Sequence, residues 1–434
     1  MTQAADNSRV NIKWIKTGSA VSEVSSPEVV RAVGEIIGGV RAGGFDAVAE
    51  YSAKLDKFNG PFAVPFSEAE RAARGMSPDL RAAIERAVRN VRRFHSLQRE
   101  TLTGHEWELE PGVSAGFRYA PVDSAAVYIP GGRYPLASSA IMCVIPAQEA
   151  GVRRIAAFSP PGRDGKINGT ILGVLGLLGV REIWSIGGAH AIAAAALGAG
   201  DIAKVDFIAG PGNAYVAEAK RALFGTVGID GLAGPSETLI IADGGANPRY
   251  CARDLLAQSE HDPMAKATLI ATDEPFARAA LSELDDILPA LSTRETAEKS
   301  WTRNGAAGIA SSLDDAIEYA NLAAPEHLQL AVSDPRAALE KCRAYGAAFL
   351  GYSSSEVFGD YIAGTNHTLP TASRAKFSNG LWTGSFLRTL THLDLSREAA
   401  ASLAAQGRVM ARAEGLDAHE RAIAARIYND DEVL

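Results

Sequence analysis

Four stretches of the chain carry side chains that could do chemistry. In Gln258-Ser259-Glu260-His261 an amide and an imidazole stand three apart, so on a helix they project from one face. They make a partial metal set, and capping of a helix end is the plainer reading. Pro325-Glu326-His327 puts a carboxylate beside an imidazole at the start of an apolar strand pattern. Such a pair suits proton transfer near neutral pH, where imidazole titrates. Alternation along a strand would turn the two to opposite faces unless they lie in the turn before it. An exposed Glu with a half-buried His is the simpler alternative. Gly359-Asp360-Tyr361 and Gly364-Thr365-Asn366-His367 read as loop, with Asp360 a candidate metal oxygen and His367 a candidate substrate partner. Glu414 and His419 are five apart around Gly415, which is not one face of a regular helix, and alone they read as a solvated helix. The set offers two His, one Asp and one Gln of zinc type, spread so widely that only a fold could assemble them.

The elements needed to do so are visible. The chain has 434 residues, net charge −8, 47% hydrophobic and 22% charged residues, which is ordinary globular usage and enough for two or three domains. No Lys/Arg block marks a nucleic-acid or anionic-membrane surface. Cys143, Cys251 and Cys342 are far apart and odd in number, which fits a reducing, cytoplasmic compartment. The polar start MTQAADNSRVNIKW has no apolar stretch of signal-peptide type. The longest uncharged run, 183–200, is broken by glycines and His190 and reads as strand, turn and helix rather than a membrane span.

A helical lead-in opens with Ser26-Pro27 as an N-cap pair, continues near Ser67, and has a third helix over 78–98. His95 and His105 sit in this lead-in as packing or surface residues. From about 124 onward, short apolar runs at 125–129, 154–158, 182–186, 205–208 and 238–242 each end in a glycine turn, and helices follow. The pattern returns after 310, with helices over 314–322 and 335–344 and strands over 327–332 and 347–350. This is the βαβ signature, so two α/β regions with mainly parallel sheets are expected. Ligands in such sheets sit beyond the carboxyl ends of strands. That makes the turns, including the 244–247 loop, one candidate rim. No GxGxxG occurs, Gly210-Pro211-Gly212 being a near miss, so no nicotinamide cofactor follows from that motif. The last fifty or so residues read as Ala-rich helix.

The strings YIPGG (128–132), GPGNAY (210–215), AGPSETLIIAD (233–243), DLLAQSEHDP (254–263), APEHLQL (324–330), GTNHTLPT (364–371) and EGLDAH (414–419), in this order, resemble the histidinol dehydrogenase family over nearly the whole chain. The resemblance implies two incomplete Rossmann-like domains with small helical terminal pieces. It divides the chain into an N-terminal segment 1–25, a first α/β domain of 26–128 with 237–380, a second of 129–236 on the cofactor side, and a C-terminal helical segment 381–434. That last segment would reach the partner in a domain-swapped homodimer with shared active sites.

Carried over residue by residue, it implies one zinc per subunit on Gln258, His261, Asp360 and His419, and proton handling by Glu326 and His327. Substrate would touch Ser236, His367 and Glu414 as well as His327 and the metal ligands. NAD would meet Tyr128, His190 and Asn213. The implied reaction is a four-electron oxidation of a primary alcohol to a carboxylate through a bound aldehyde. The expected substrate is L-histidinol, giving L-histidine in a cytoplasmic biosynthetic role, with no nucleic acid or membrane partner. Some positions depart from the family pattern: Arg133 and Tyr134 after PGG, His190 for the usual Gln, and Trp382 for a small residue. These resemble relatives that oxidise other small alcohols such as sulfonated diols, which is the alternative expectation.

Overall fold

A computed structural model describes residues 10–19, 26–131, 134–232 and 234–427. The chain forms two compact units. One holds the described residues up to Gln98 together with Val122–Phe386, and the other holds Arg99–Pro121 and the described residues from Leu387 on. Along the chain run β1 (Ile12–Lys16), α1 (Pro27–Leu55), α2 (Phe66–Arg74), α3 (Pro78–Glu100), β2 (His105–Glu110), β3 (Val113–Pro121), β4 (Ser124–Tyr128), α4 (Ala137–Ala150), β5 (Arg154–Ser159), α5 (Gly169–Leu177), β6 (Glu182–Ser185), α6 (Gly188–Leu197), β7 (Phe207–Ala209), α7 (Ala214–Leu223) and β8 (Gly228–Ile229). They continue as β9 (Glu237–Ala242), α8 (Pro248–Glu260), β10 (Lys266–Ala271), α9 (Glu274–Ile287), α10 (Arg294–Asn304), β11 (Ala306–Ala310), α11 (Leu313–Ala323), β12 (His327–Ala331), α12 (Pro335–Lys341), β13 (Ala347–Leu350), α13 (Glu356–Tyr361), β14 (Leu387–Leu395), α14 (Arg397–Ala413) and α15 (Asp417–Ala424).

Helix starts follow local chemistry. The Ser26 hydroxyl accepts from Val29 N–H with Pro27 in the first turn, as the sequence suggests, and Asn213, Asn247 and Asp273 cap α7, α8 and α9 in the same way.

The first unit holds both parallel sheets. The five-stranded sheet has the order β6-β5-β4-β7-β8, parallel throughout. Its central strand, SAAVY, is buried at every position, as a strand covered on both faces must be. Val33, Val40 and Val48 of α1 and the alanine run of α6 pack against Ala126, Phe158 and Ile208. α2 lies against α5 so closely that a Cβ on Gly176 would come 2.4 Å from the Ala69 carbonyl oxygen. The six-stranded sheet has the order β1-β11-β10-β9-β12-β13, parallel apart from the antiparallel edge strand β1.

The expected α/β architecture is present, but packing draws its internal boundaries elsewhere. β4 and α1 belong with the five-stranded sheet, although 26–128 was assigned to the other region. β1, inside the supposed N-terminal segment, completes the six-stranded sheet. The second unit is an antiparallel sheet, β14-β3-β2, with the helix pair α14 and α15. The helical reading of 381–434 therefore misses a nine-residue strand, and His105 opens β2 rather than lying in a helical stretch. The reason is physical. All six residues of β2 are exposed, so HEWELE carries no apolar face for a periodicity argument to find.

His95 proves to be a core residue of α3. Its Nδ1 lies 2.8 Å from Gln98 Oε1. Asn366 Nδ2, which donates to the Met142 carbonyl, also lies 3.3 Å from His95 Nε2. One ring nitrogen therefore donates and the other accepts, which only a neutral ring can do. Burial pushes its pKa down to about 4 from 6.5. Between those values the unfolded chain binds a proton that the folded one refuses. Stability is complete above pH 6.5 and falls as pH drops toward 4, by on the order of 3 kcal/mol in all. Urea midpoints of the wild type should fall more steeply between pH 7 and 5 than those of His95→Gln; equal slopes would contradict the neutral, buried assignment.

Candidate active site

β9 and β12 lie side by side and parallel, with His327 opposite Thr238. β12 begins at His327, so Glu326 and His327 stand at the amino edge of this sheet, beside Ser236 and Glu237 at the start of β9. This corrects the candidate rim: the 244–247 loop follows β9 and is at the opposite end. Crossover geometry explains the location. β9 runs away from this edge and α8 runs back to it, delivering Gln258 and His261 where β12 starts. His261 itself is the C-cap residue of α8.

Both members of the Glu–His pair are buried, Glu326 at 6% and His327 at 4% residue exposure. The Glu326 carboxylate is held by two donors on one oxygen. Ser236 Oγ donates to Oε2 at 2.6 Å and the Glu237 N–H at 2.9 Å. Ser236, expected to touch substrate, here donates its hydroxyl to the Glu326 carboxylate. Burial pushes Glu326 well above its ordinary value against those hydrogen bonds. Burial also lowers His327 to about 4, opposed chiefly by the Asp360 carboxylate. An imidazole held neutral in this way is a proton acceptor throughout the neutral range.

Asp360, in α13, is the hub. Its carboxylate lies 3.7 Å from His327 Nε2, 3.8 Å from His261 Nε2 and 3.9 Å from His367 Nδ1. His367 Nδ1 is 3.0 Å from the Asp360 carbonyl and donates to it, and Ser139 Oγ is 3.3 Å from its Nε2. That arrangement fixes one neutral tautomer, and burial lowers the pKa further.

Gln258 is fully buried, and neither its amide oxygen nor its amide nitrogen has a hydrogen-bond partner among the described residues. A buried orphan amide costs about 1–3 kcal/mol, so its retention points to a ligand. Among the described residues no three His, Cys, Asp or Glu side chains gather as a metal site. The first unit holds two of the side chains expected to bind zinc, His261 and Asp360, with the Gln258 amide as a third candidate donor of another type. Glu414 and His419 belong to the second unit, at the C-cap of α14 and within α15, and both are exposed.

A cavity of about 450 Å³ opens against this cluster. His261, Asp360 and Glu260 line one side, and Tyr134, Leu136 and Ile141 from the β4–α4 connection line another. The amino edge of the six-stranded sheet thus faces the carboxyl end of the five-stranded one. There β4 has β5 on one side and β7 on the other, the switch point at which doubly wound sheets bind ligands.

Tyr128, His190 and Asn213 collect at this second edge. The Tyr128 hydroxyl accepts from Gly188 N–H at 3.0 Å. Gly210, at φ 121°, lies so near that a Cβ would be 2.1 Å from the Tyr128 carbonyl oxygen. His190 is fully buried, with Nε2 3.1 Å from Asp56 Oδ2, while Asn213 is exposed and caps α7. The Gly210 loop is clamped from beneath. Lys220 donates to the Gly210 carbonyl, and Asp230 accepts from both Lys220 and Gly210 N–H.

Sequence reasoning missed this clamp and also Glu356, a buried acid four residues before Asp360. That spacing, one helical turn, was the available signal. Arg133 lies outside the described residues. Trp382 does not line the cavity.

The family model for histidinol dehydrogenase matches residues 20–427. The histidinol dehydrogenases of Caulobacter vibrioides and Rhizobium meliloti are 41% and 42% identical to this chain over 410 residues, each alignment covering 94% of both sequences. The crystal structure of histidinol dehydrogenase from Elizabethkingia anophelis superposes with a TM-score of 0.89 at 34% identity, covering 94% of each chain. The chain is an oxidoreductase and belongs to the histidinol dehydrogenase family.

Proposed function

We propose that the chain oxidises L-histidinol to L-histidine with two NAD, in a reaction of the form RCH2OH + H2O + 2 NAD⁺ → RCOO⁻ + 2 NADH + 3 H⁺. The observation that carries this reading is the buried pair Glu326 and His327, set beside Asp360, which lines a cavity together with His261. Gln258, His261 and Asp360 would hold a zinc ion, with His419 supplied by a second copy of the chain. Bound there, zinc would fix the substrate and polarise its oxygen without redox chemistry of its own. NAD, held near Tyr128, Asn213 and the turn before His190, would accept the hydride.

The side chains divide the proton work. His327, kept neutral by burial, takes the alcohol proton as the C–H bond is lost. The aldehyde would stay bound in the cavity. Glu326, oriented by Ser236 and Glu237, then takes a proton from the water that adds to the aldehyde. His367 and Glu414 would orient the substrate.

The lining favours an amino alcohol over a sulfonated diol. Among the described residues it carries Glu260 and Asp360 but no Lys or Arg. A cationic ammonium would be matched by the Glu260 carboxylate there.

Two outcomes test the proposal. Histidinol oxidation should yield two NADH per substrate, stop when zinc is stripped and return when zinc is restored. One NADH per histidinol, or full activity in the metal-free protein, contradicts it. His327→Asn should lower the rate about 10²–10⁴-fold. Glu326→Gln should instead release the first NADH in a rapid phase and stall before the second, seen in single-turnover absorbance. Equal loss of both phases in Glu326→Gln would refute the division of roles.

A further inference from the structure

Glu356 opens α13 and is one of the most deeply buried acids in the molecule, with its side chain 2% exposed. Neither carboxylate oxygen meets strict hydrogen-bond geometry with a described residue, the Thr238 hydroxyl being the donor beside it, and neither do the two ring nitrogens of His327, which have the Glu237 backbone beside them. Oε2 of Glu356 lies 3.8 Å from His327 Nδ1. Glu326 Oε2 lies at the same distance from that nitrogen. The two acids differ in what else they accept. Glu326 Oε2 already takes two hydrogen bonds, from Ser236 and Glu237, whereas Glu356 has only the Thr238 hydroxyl beside it and keeps acceptor capacity to spare. On the far side of the ring, Nε2 faces Asp360. Phe349 lies alongside, its ring centroid 6.0 Å from that of His327.

A neutral imidazole has one N–H to give and one lone pair to offer, and leaving either unsatisfied in the interior costs about 1–3 kcal/mol. The acceptor with spare capacity beside Nδ1 is Glu356. We propose that Glu356 is a positioning residue for His327. It accepts Nδ1–H, which fixes the ring rotamer and tautomer and leaves the Nε2 lone pair facing the substrate side to take the alcohol proton.

The mounting is suited to this. Ser355 Oγ donates to Asp254 Oδ1 at 2.8 Å, and Gln329 Nε2 of β12 donates to Asp254 Oδ2 at 2.9 Å. One carboxylate of α8 thus ties the start of α13 to the strand that carries His327. Apo distances longer than a hydrogen bond are common in catalytic pairs and close by small ring rotations. The role given to His327 rests on the function proposed above, but its tautomer can be read without turnover.

Nitrogen-15 histidine spectra of the zinc-loaded wild type, with the His327 signal assigned by its loss in His327→Asn, should show the Nδ1–H tautomer. In Glu356→Gln the amide can present an N–H to Nδ1. The signal should move to the Nε2–H tautomer and kcat should fall about 10²-fold or more, with KM for histidinol and zinc content unchanged. Glu356→Asp, with the same acceptor one methylene shorter, should recover part of the loss. An Nε2–H tautomer in the wild type overturns the proposal. So does a folded Glu356→Gln within threefold of wild-type kcat, or a loss accompanied by loss of zinc. Should that variant fail to fold, the wild-type spectrum alone decides. A wild type that shows the Nδ1–H tautomer but does not oxidise histidinol would sink the function and leave the positioning intact.

Discussion

Carboxylates in a dry interior are tolerated only where something offsets their charge or their proton stays on. Glu326, Glu356 and Asp360 all lie within 3.8 Å of the one imidazole of His327, and each is largely cut off from water. The rest of the site answers to that constraint. Ser236 and Glu237 meet one acid with two donors, and the Asp254 network holds another in place. Asp360 turns toward His261 and His367. The orphan amide of Gln258 stands a helical turn before His261, with no partner of its own. An imidazole, a carboxylate and an amide with their donor atoms unspent form an arrangement that a divalent cation would relieve.

The two sheets divide the labour. The six-stranded sheet has Glu326 and His327 at the amino ends of its strands, and α8, running antiparallel to β9, returns Gln258 and His261 there. The five-stranded sheet presents the opposite end, where β4 is flanked by strands reached by crossovers in both directions. A cavity closed by the β4–α4 connection on one side and α8 and α13 on the other makes the two edges neighbours. The proposed oxidation needs a proton acceptor at the alcohol oxygen and a hydride acceptor at the adjacent carbon, and this geometry would let elements more than a hundred residues apart meet there.

Much of this was legible in the residues. Apolar runs alternating with glycine turns marked most of the parallel strands, and Ser26-Pro27 marked a helix start, because each of those signals is local. Glu326 and His327 were visible as a pair. Their shared burial was not, since it depends on β9 lying beside β12. The placement of 26–128 went astray because α1 packs on a sheet formed much later in the chain, which no local pattern encodes. β2 and β14 were missed because their residues are mostly exposed and polar. Glu356 was passed over because an acid in a Ser-rich stretch looks solvated until the chain closes around it.

The proposed zinc site requires Gln258, His261 and Asp360 to converge on one divalent cation, with a fourth ligand from a second copy of the chain. Diffraction from crystals of the protein, collected on both sides of the zinc absorption edge, tests it most directly. The account predicts a single anomalous peak per chain bonded to those three side chains and to His419 of a neighbouring copy. A peak elsewhere, or full-activity crystals with no peak between these residues, would contradict it.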